Sequence, residues 1–180
     1  MISVYIDANV WNLLFDHQID LTAEFPANQY CLCMTREAEF EIPPIPEEKA
    51  ELKTFINTTV QRAVKTVPLF GFYDESVPAD EQRYGGFDQG CFASEAELAF
   101  MAQQRSTIGA RMKAKSRLYP NEADVALASR SFESVVLTLD AKKGPLNTAY
   151  QQGGQVVFLD QFLTSGLCLR AFVERAIASN

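Results

Sequence analysis

The sequence predicts an α/β fold built on a central, mostly parallel sheet. Three observations carry that prediction. Short apolar runs bounded by polar residues recur along the chain. Longer stretches with helical periodicity separate them. The runs near 2–6, 134–140 and 153–160 each lead into an aspartate. Alternating strands and helices need crossover connections, which give parallel strands. In such sheets ligands bind outside the carboxyl ends of the strands. At 180 residues the chain favours a single domain spanning 1–180.

The elements follow in order. "ISVYI" at 2–6 is a strand, and "VYIDANVWN" at 4–12 shows it stopping at Asp7 before a helix at about 9–16. "YCLCM" at 30–34 is the next apolar run. "TREAEFEI" at 35–42 opens a helix with Thr35 as N-cap, which Pro43, Pro44 and Pro46 interrupt. A long helix over about 47–65 follows from Leu52, Phe55, Ile56, Val60, Ala63 and Val64 on one stripe. The stretch 70–92 mixes glycine, acids and aromatics without a period and reads as a long loop. Ser94 and Glu97 make a capping-box pattern and open a helix running toward Lys115. Pro120 and Asn121 mark a strong helix start for "YPNEADVALASRS" at 119–131. "SVVLTLD" at 134–140 is a strand ending in Asp140. "GGQVVFLD" at 153–160 is a turn and a strand ending in Asp160, and a last helix covers about 167–178.

Composition excludes several classes. A net charge of -7 and a pI of about 4.8 do not suit a protein that coats nucleic acid. They remain compatible with an enzyme whose site is itself acidic. No run of eighteen apolar residues occurs, so no membrane-spanning helix and no membrane partner are expected. The N-terminus lacks the basic-then-apolar pattern of a signal peptide. Cys31, Cys33, Cys91 and Cys168 have no zinc-type spacing, which points to a reducing, cytoplasmic compartment. His17, the one histidine, follows Asp16 in a polar stretch and reads as an exposed residue, which sets histidine-based triads aside.

The acids carry the chemistry. Taken singly, each has an ordinary role. Asp7 is placed to cap the helix after it. Asp124, third after Asn121, suits first-turn amides and the helix dipole. Asp140 suits the turn at 141–144, and Glu37 and Glu41 lie one helical turn apart as surface acids. Taken together they form an ordered set. An apolar strand leads into Asp7, Ala8 and Asn9. An acid near 41 follows the second apolar run, Asp124 opens a helix, and Thr138, Leu139 and Asp140 close another strand.

This set resembles the PIN-domain family of metal-dependent ribonucleases. "DANVW" is similar to its first-strand motif, "NEADVALAS" to the helix that carries the third acid, and "VVLTLDAKKG" to the strand that ends in the fourth. The resemblance covers about 1–42 and 119–165. It leaves 66–118 as an inserted loop-helix segment without a counterpart. For the second acid, the spacing of Thr35, Ala38, Glu41 and Ile42 fits best, with Glu37 as the alternative. The resemblance implies a PIN-like three-layer α/β/α fold and a site of Asp7, Glu41, Asp124 and Asp140. It also implies an RNA substrate and, for toxin-like members, an antitoxin protein as partner. A homodimer is compatible with it.

Physics says what such a site would do. Clustered carboxylates repel and take up protons unless a cation relieves them. Oxygen-only ligands favour Mg²⁺ or Mn²⁺. Asn9 and Thr138 are placed to hold the carboxylates from behind. Arg105, Arg111, Lys113, Lys115 and Arg117 fall in a stretch without an acid and, spread over more than one helix face, read equally as a solvated surface or an RNA track; Lys142 and Lys143, directly after Asp140, are better placed. Lys142, Lys143, Arg111 and Lys113 are candidate contacts to phosphate. Phe70, Phe72, Tyr73, Tyr84 and Phe87 could stack on unpaired bases. The preferred reading is that they pin a loop onto the core. Two alternatives stand beside the nuclease: a non-catalytic PIN-like binding module, and an aspartate-based phosphohydrolase. The second wants an acid two residues after Asp7, where Asn9 stands.

Overall fold

A strand ending in a buried aspartate lies at the centre of the sheet, and the rest of the fold is arranged around it. The computed structural model describes residues 1–72, 74–75, 77–140 and 143–179. The chain opens with β1 (Ile2–Ile6), α1 (Val10–Asp16), a short α2 (Leu21–Glu24) and β2 (Tyr30–Met34). It continues through α3 (Arg36–Glu39), α4 (Ala50–Ala63) and β3 (Val64–Thr66). Two short strands follow, β4 (Leu69–Phe70) and β5 (Tyr84–Gly85), then α5 (Glu95–Gln104) and α6 (Glu122–Arg130). β6 (Val135–Thr138), α7 (Gly144–Gln151), β7 (Val156–Phe158) and α8 (Leu169–Ala178) complete it.

The central sheet has five strands in the order β3-β2-β1-β6-β7. Each of its pairings is parallel. Alternate strand residues face opposite sides. Val4 and Ile6 join Leu14 of α1, Leu21 of α2, Ile56 of α4 and Val173 of α8 in one core. Tyr5 joins Phe100 of α5, Leu127 of α6 and Leu146 of α7 in a second. The result is three layers, with a core on each face. Right-handed crossovers account for the division: β1 to β3 step one way across the sheet and β6 to β7 the other, so their helices fall on opposite faces. The order therefore reverses between β1 and β6. That crevice, at the carboxyl ends of the strands, is where doubly wound folds bind ligands.

Several boundaries differ from the sequence reading. The helix expected over 47–65 stops at Ala63, because Val64 pairs with Leu32 and becomes an edge strand. Ser94 and Glu97 do form a capping box, yet the helix ends at Gln104 instead of reaching toward Lys115. Beyond it the Gly109 amide donates to the Pro120 carbonyl and the Lys113 amide to that of Leu118, which closes a compact loop. Asn121 adopts a left-handed φ of 62°, and its side chain bonds the Thr107 carbonyl instead of capping α6. The helix at 35–42 ends at Glu39, the last strand stops at Phe158 short of Asp160, and α2 and α7 were not foreseen. Among the described aromatics of 70–92, Phe72, Tyr84 and Phe87 are exposed and do not pin the loop onto the core. Phe72 and Phe87 are 86% and 82% exposed and cluster around Phe70. Tyr73 lies outside the described residues. No described helix is long and apolar enough to cross a membrane.

α5 is integral to the second layer. Its Glu97 meets Arg130 of α6 at 3.2 Å, with both residues buried. The Arg130 guanidinium also donates to the Val67 carbonyl at 3.1 Å and lies over the Tyr5 ring. Removing one partner of a buried ion pair leaves the other charge stranded, at a cost of about 3–5 kcal/mol. Glu97→Ala should therefore lower unfolding stability by roughly that amount in urea titrations. A loss under about 1 kcal/mol, the range of exposed pairs, would mean that water reaches Arg130.

Candidate functional site

β1 and β6 lie side by side, with Ile6 opposite Leu137. Each strand ends in a turn that carries a carboxylate. Asp7 is buried, at 7% exposure. The Thr138 hydroxyl donates to its Oδ2 at 2.6 Å. The same hydroxyl oxygen accepts from the Asp140 amide at 2.9 Å and from the Asn9 side chain at 3.5 Å. The Asn9 Nδ2 also donates to Asp140 Oδ1 at 3.0 Å, and its Oδ1 accepts from the Leu139 amide at 2.9 Å. Thr138 and Asn9 thus join the two carboxylates into one hydrogen-bonded unit. The side chain of Asp7 does not cap α1; it is turned into this unit.

Electrostatics bring in the other two acids. Burial, with smaller contributions from Asp140 and Asp124, pushes the Asp7 carboxyl up to about 6, against the Thr138 hydrogen bond. Glu41 is pushed up to about 7 by burial, then by Asp124, Asp7 and Asp140, with Lys113 opposing. Asp124 is raised by burial and by Asp140, and again Lys113 opposes. The four sequence-predicted acids therefore feel one another's charge at the switch point. Glu37 does not belong to this group. Burial raises it to about 7, but its leading charged neighbours are Glu122, Arg130 and Arg83. The turn after α3 separates Glu41 from Glu37.

The cations are distributed unevenly. Lys113 is brought to the acids by the loop after α5. Lys143 is exposed and precedes α7, and Arg111 is exposed in the same loop as Lys113. Lys142 lies outside the described residues, as does the start of the turn that Asp140 was placed to cap. Asp160 is exposed and takes no part. Sequence reasoning missed Arg83, which bonds Glu122 at 2.9 Å and, like Arg36, lies over the Phe40 ring. No motif marks that pairing, because its members come from three separated segments.

Comparison with protein-family models, with curated proteins and with solved structures finds no match.

The donor chemistry fits a hard divalent cation, since four carboxylates offer only oxygen. Among the described residues, no three His, Cys, Asp or Glu side chains are drawn together tightly enough to hold an ion. The carboxylates share a field, then, without sharing ligation distance. Unneutralised, that arrangement costs stability. A carboxyl raised in the folded state is penalised above its folded pKa, and the penalty is gone below the unfolded one. The metal-free protein should therefore gain relative stability as pH falls from about 7 to about 4. Asp7→Asn should be more stable than the parent at pH 8 by on the order of 2 kcal/mol, and equal to it near pH 4. Urea unfolding in a chelator at both values checks this. A variant less stable than the parent at pH 8 would contradict it.

Proposed function

We propose that this chain is a divalent-cation-dependent ribonuclease of the PIN-domain type, hydrolysing phosphodiesters in RNA with Mg²⁺ or Mn²⁺. The observation that carries the reading is the electrostatic convergence of Asp7, Glu41, Asp124 and Asp140 at the crevice between β1 and β6. A structural role for four separate helix caps would not require it. When bound, a divalent cation supplies the positive charge that these carboxylates lack, offsets charge on the phosphate and acidifies water.

The chain's own residues do the rest. Asp7 and Asp140 are fixed by Thr138 and Asn9, so their oxygens are pre-oriented and do not need to be ordered at the moment of reaction. Glu41, pushed up to about 7 by burial and by Asp124, Asp7 and Asp140, would complete the oxygen ligands of the cation. Lys113, beside Glu41 and Asp124, carries the charge that meets a phosphate oxygen. The exposed Lys143 and Arg111, close in sequence to Asp140 and Lys113, would add further phosphate contacts. An antitoxin protein remains the natural partner class if the reading holds in its toxin-like form.

The non-catalytic alternative draws on one observation, the absence of a ligation-distance acid cluster among the described residues. The phosphohydrolase alternative is weaker. Its general-acid position is Asn9, whose amide is already engaged with Asp140 and with the Leu139 amide.

In a fluorogenic single-stranded RNA assay with Mn²⁺, Asp7→Asn and Asp140→Asn should each lower cleavage by at least about a hundredfold while the proteins remain folded. Parent-level cleavage by either purified variant would remove the site. Glu41→Gln should weaken Mn²⁺ binding more than Glu37→Gln in calorimetric titrations. The reverse ranking would move the second ligand to Glu37.

A further inference from the structure

A cavity of about 150 Å³ opens beside the acids, and of its lining only Glu41 enters the chemistry above. Its rim includes Ala8, which follows Asp7, and Glu41 itself. Its walls include Trp11, Ile42, Ile45 and Leu52. Asn12 and Lys49 stand at the edge. The Trp11 ring is fixed edge-on against Phe55 at 6.5 Å and is only 3% exposed. No described residue accepts a hydrogen bond from its indole N–H. No fully buried side-chain nitrogen or oxygen is left without a partner. The indole nitrogen of this nearly buried ring therefore keeps a trace of solvent access.

We infer that this cavity binds one nucleobase of the RNA, next to the phosphodiester that is cut. The inference rests on the ribonuclease reading for its substrate class. Three features commit it to a base. The volume is below the roughly 300–1,000 Å³ of pockets that enclose a drug-sized ligand, so it takes a single ring system and not a whole nucleotide. The aliphatic walls suit the faces of a flat ring, while Asn12 and Glu41 of the lining offer donors and acceptors to its edge. Glu41 belongs both to the cavity and to the acid group, so a base seated here leaves its own phosphate beside Asp7. Ile45 and Trp11 then set which base is preferred near the cut, and Lys113 with the four acids sets where the cut is made.

The chain has one tryptophan, and it lines this cavity, so its fluorescence reports occupancy without any reaction. The probes are AMP, GMP, CMP and UMP, titrated in a chelator with correction for their absorbance. At least one should quench Trp11 saturably. Ile45→Phe, which fills the cavity from its partly buried wall, should weaken that quenching by about tenfold or more. Lys49→Glu, at an exposed edge position, should fold as the parent does and weaken it in the same direction. In parallel, cleavage sites on a mixed-sequence RNA are mapped for the parent and for Ile45→Phe, with a changed base preference at one position expected. Saturable quenching together with that change supports the inference in full. Saturable quenching without RNA cleavage supports the cavity as a base site and counts against the ribonuclease reading alone. RNA cleavage without saturable quenching, or quenching unchanged in both variants, overturns the inference and leaves the ribonuclease reading standing.

Discussion

Two parallel neighbours, β1 and β6, end in carboxylates that repel, and a threonine hydroxyl and an asparagine amide hold them side by side. Thr138 donates to Asp7, Asn9 donates to Asp140, and Asn9 also accepts from the backbone between them. Much else follows from that unit. β1 and β6 must be adjacent, so the sheet order has to reverse there. The reversal sends α1, α2 and α4 to one face and α5, α6 and α7 to the other. The crevice that results is open enough for Glu41 and Asp124 to reach, and buried enough that all four charges count.

The same arrangement separates stability from function. The second core is held by a buried pair, Arg130 and Glu97, that is complete within the chain. The acid group is not complete in that sense: burial and neighbouring carboxylates raise the proton affinity of Asp7, Glu41 and Asp124, and Lys113 offsets only part of that at Glu41 and Asp124. A folded chain tolerates such a defect where something outside it supplies the missing charge. The loop that brings Lys113 to the acids is closed by backbone bonds between Lys113 and Leu118, so the region between α5 and α6 contributes to the site and not only to the periphery.

Much of this was legible in the sequence, and the reasons differ by element. β1, β2 and β6 are short apolar runs with sharp polar ends, and a central strand buried on both faces must look like that. Asn9 and Thr138 were legible through the resemblance that sets Asp7 and Asp140 at the ends of neighbouring strands. β3 was not, because Val64 continues the apolar stripe of α4 and only its pairing with Leu32 decides its conformation. Nothing local ends the helix after Ser94, since no proline interrupts it before Pro120; its end is set by tertiary closure around Gly109. Glu37 and Glu41 shared a face on a helix that stops at Glu39, and the turn that divides them lies in no local pattern. The exposed rings at Phe72 and Phe87 have a composition that resembles core, and nothing local distinguishes the two.

The central claim is that the acid group takes up a divalent cation, and thermal unfolding of chelator-stripped protein with and without Mn²⁺ tests it most directly. A ligand that binds only the folded state adds about 2.7 kcal/mol at a hundred times its Kd. For a chain of this length that is a rise in Tm on the order of 5–10 °C. The account predicts that rise with Mn²⁺ and with Mg²⁺ at about pH 7.5, and a smaller one in Asp124→Asn. A Tm indifferent to millimolar Mn²⁺ would contradict it, leaving four acids that repel one another for no purpose the chain employs.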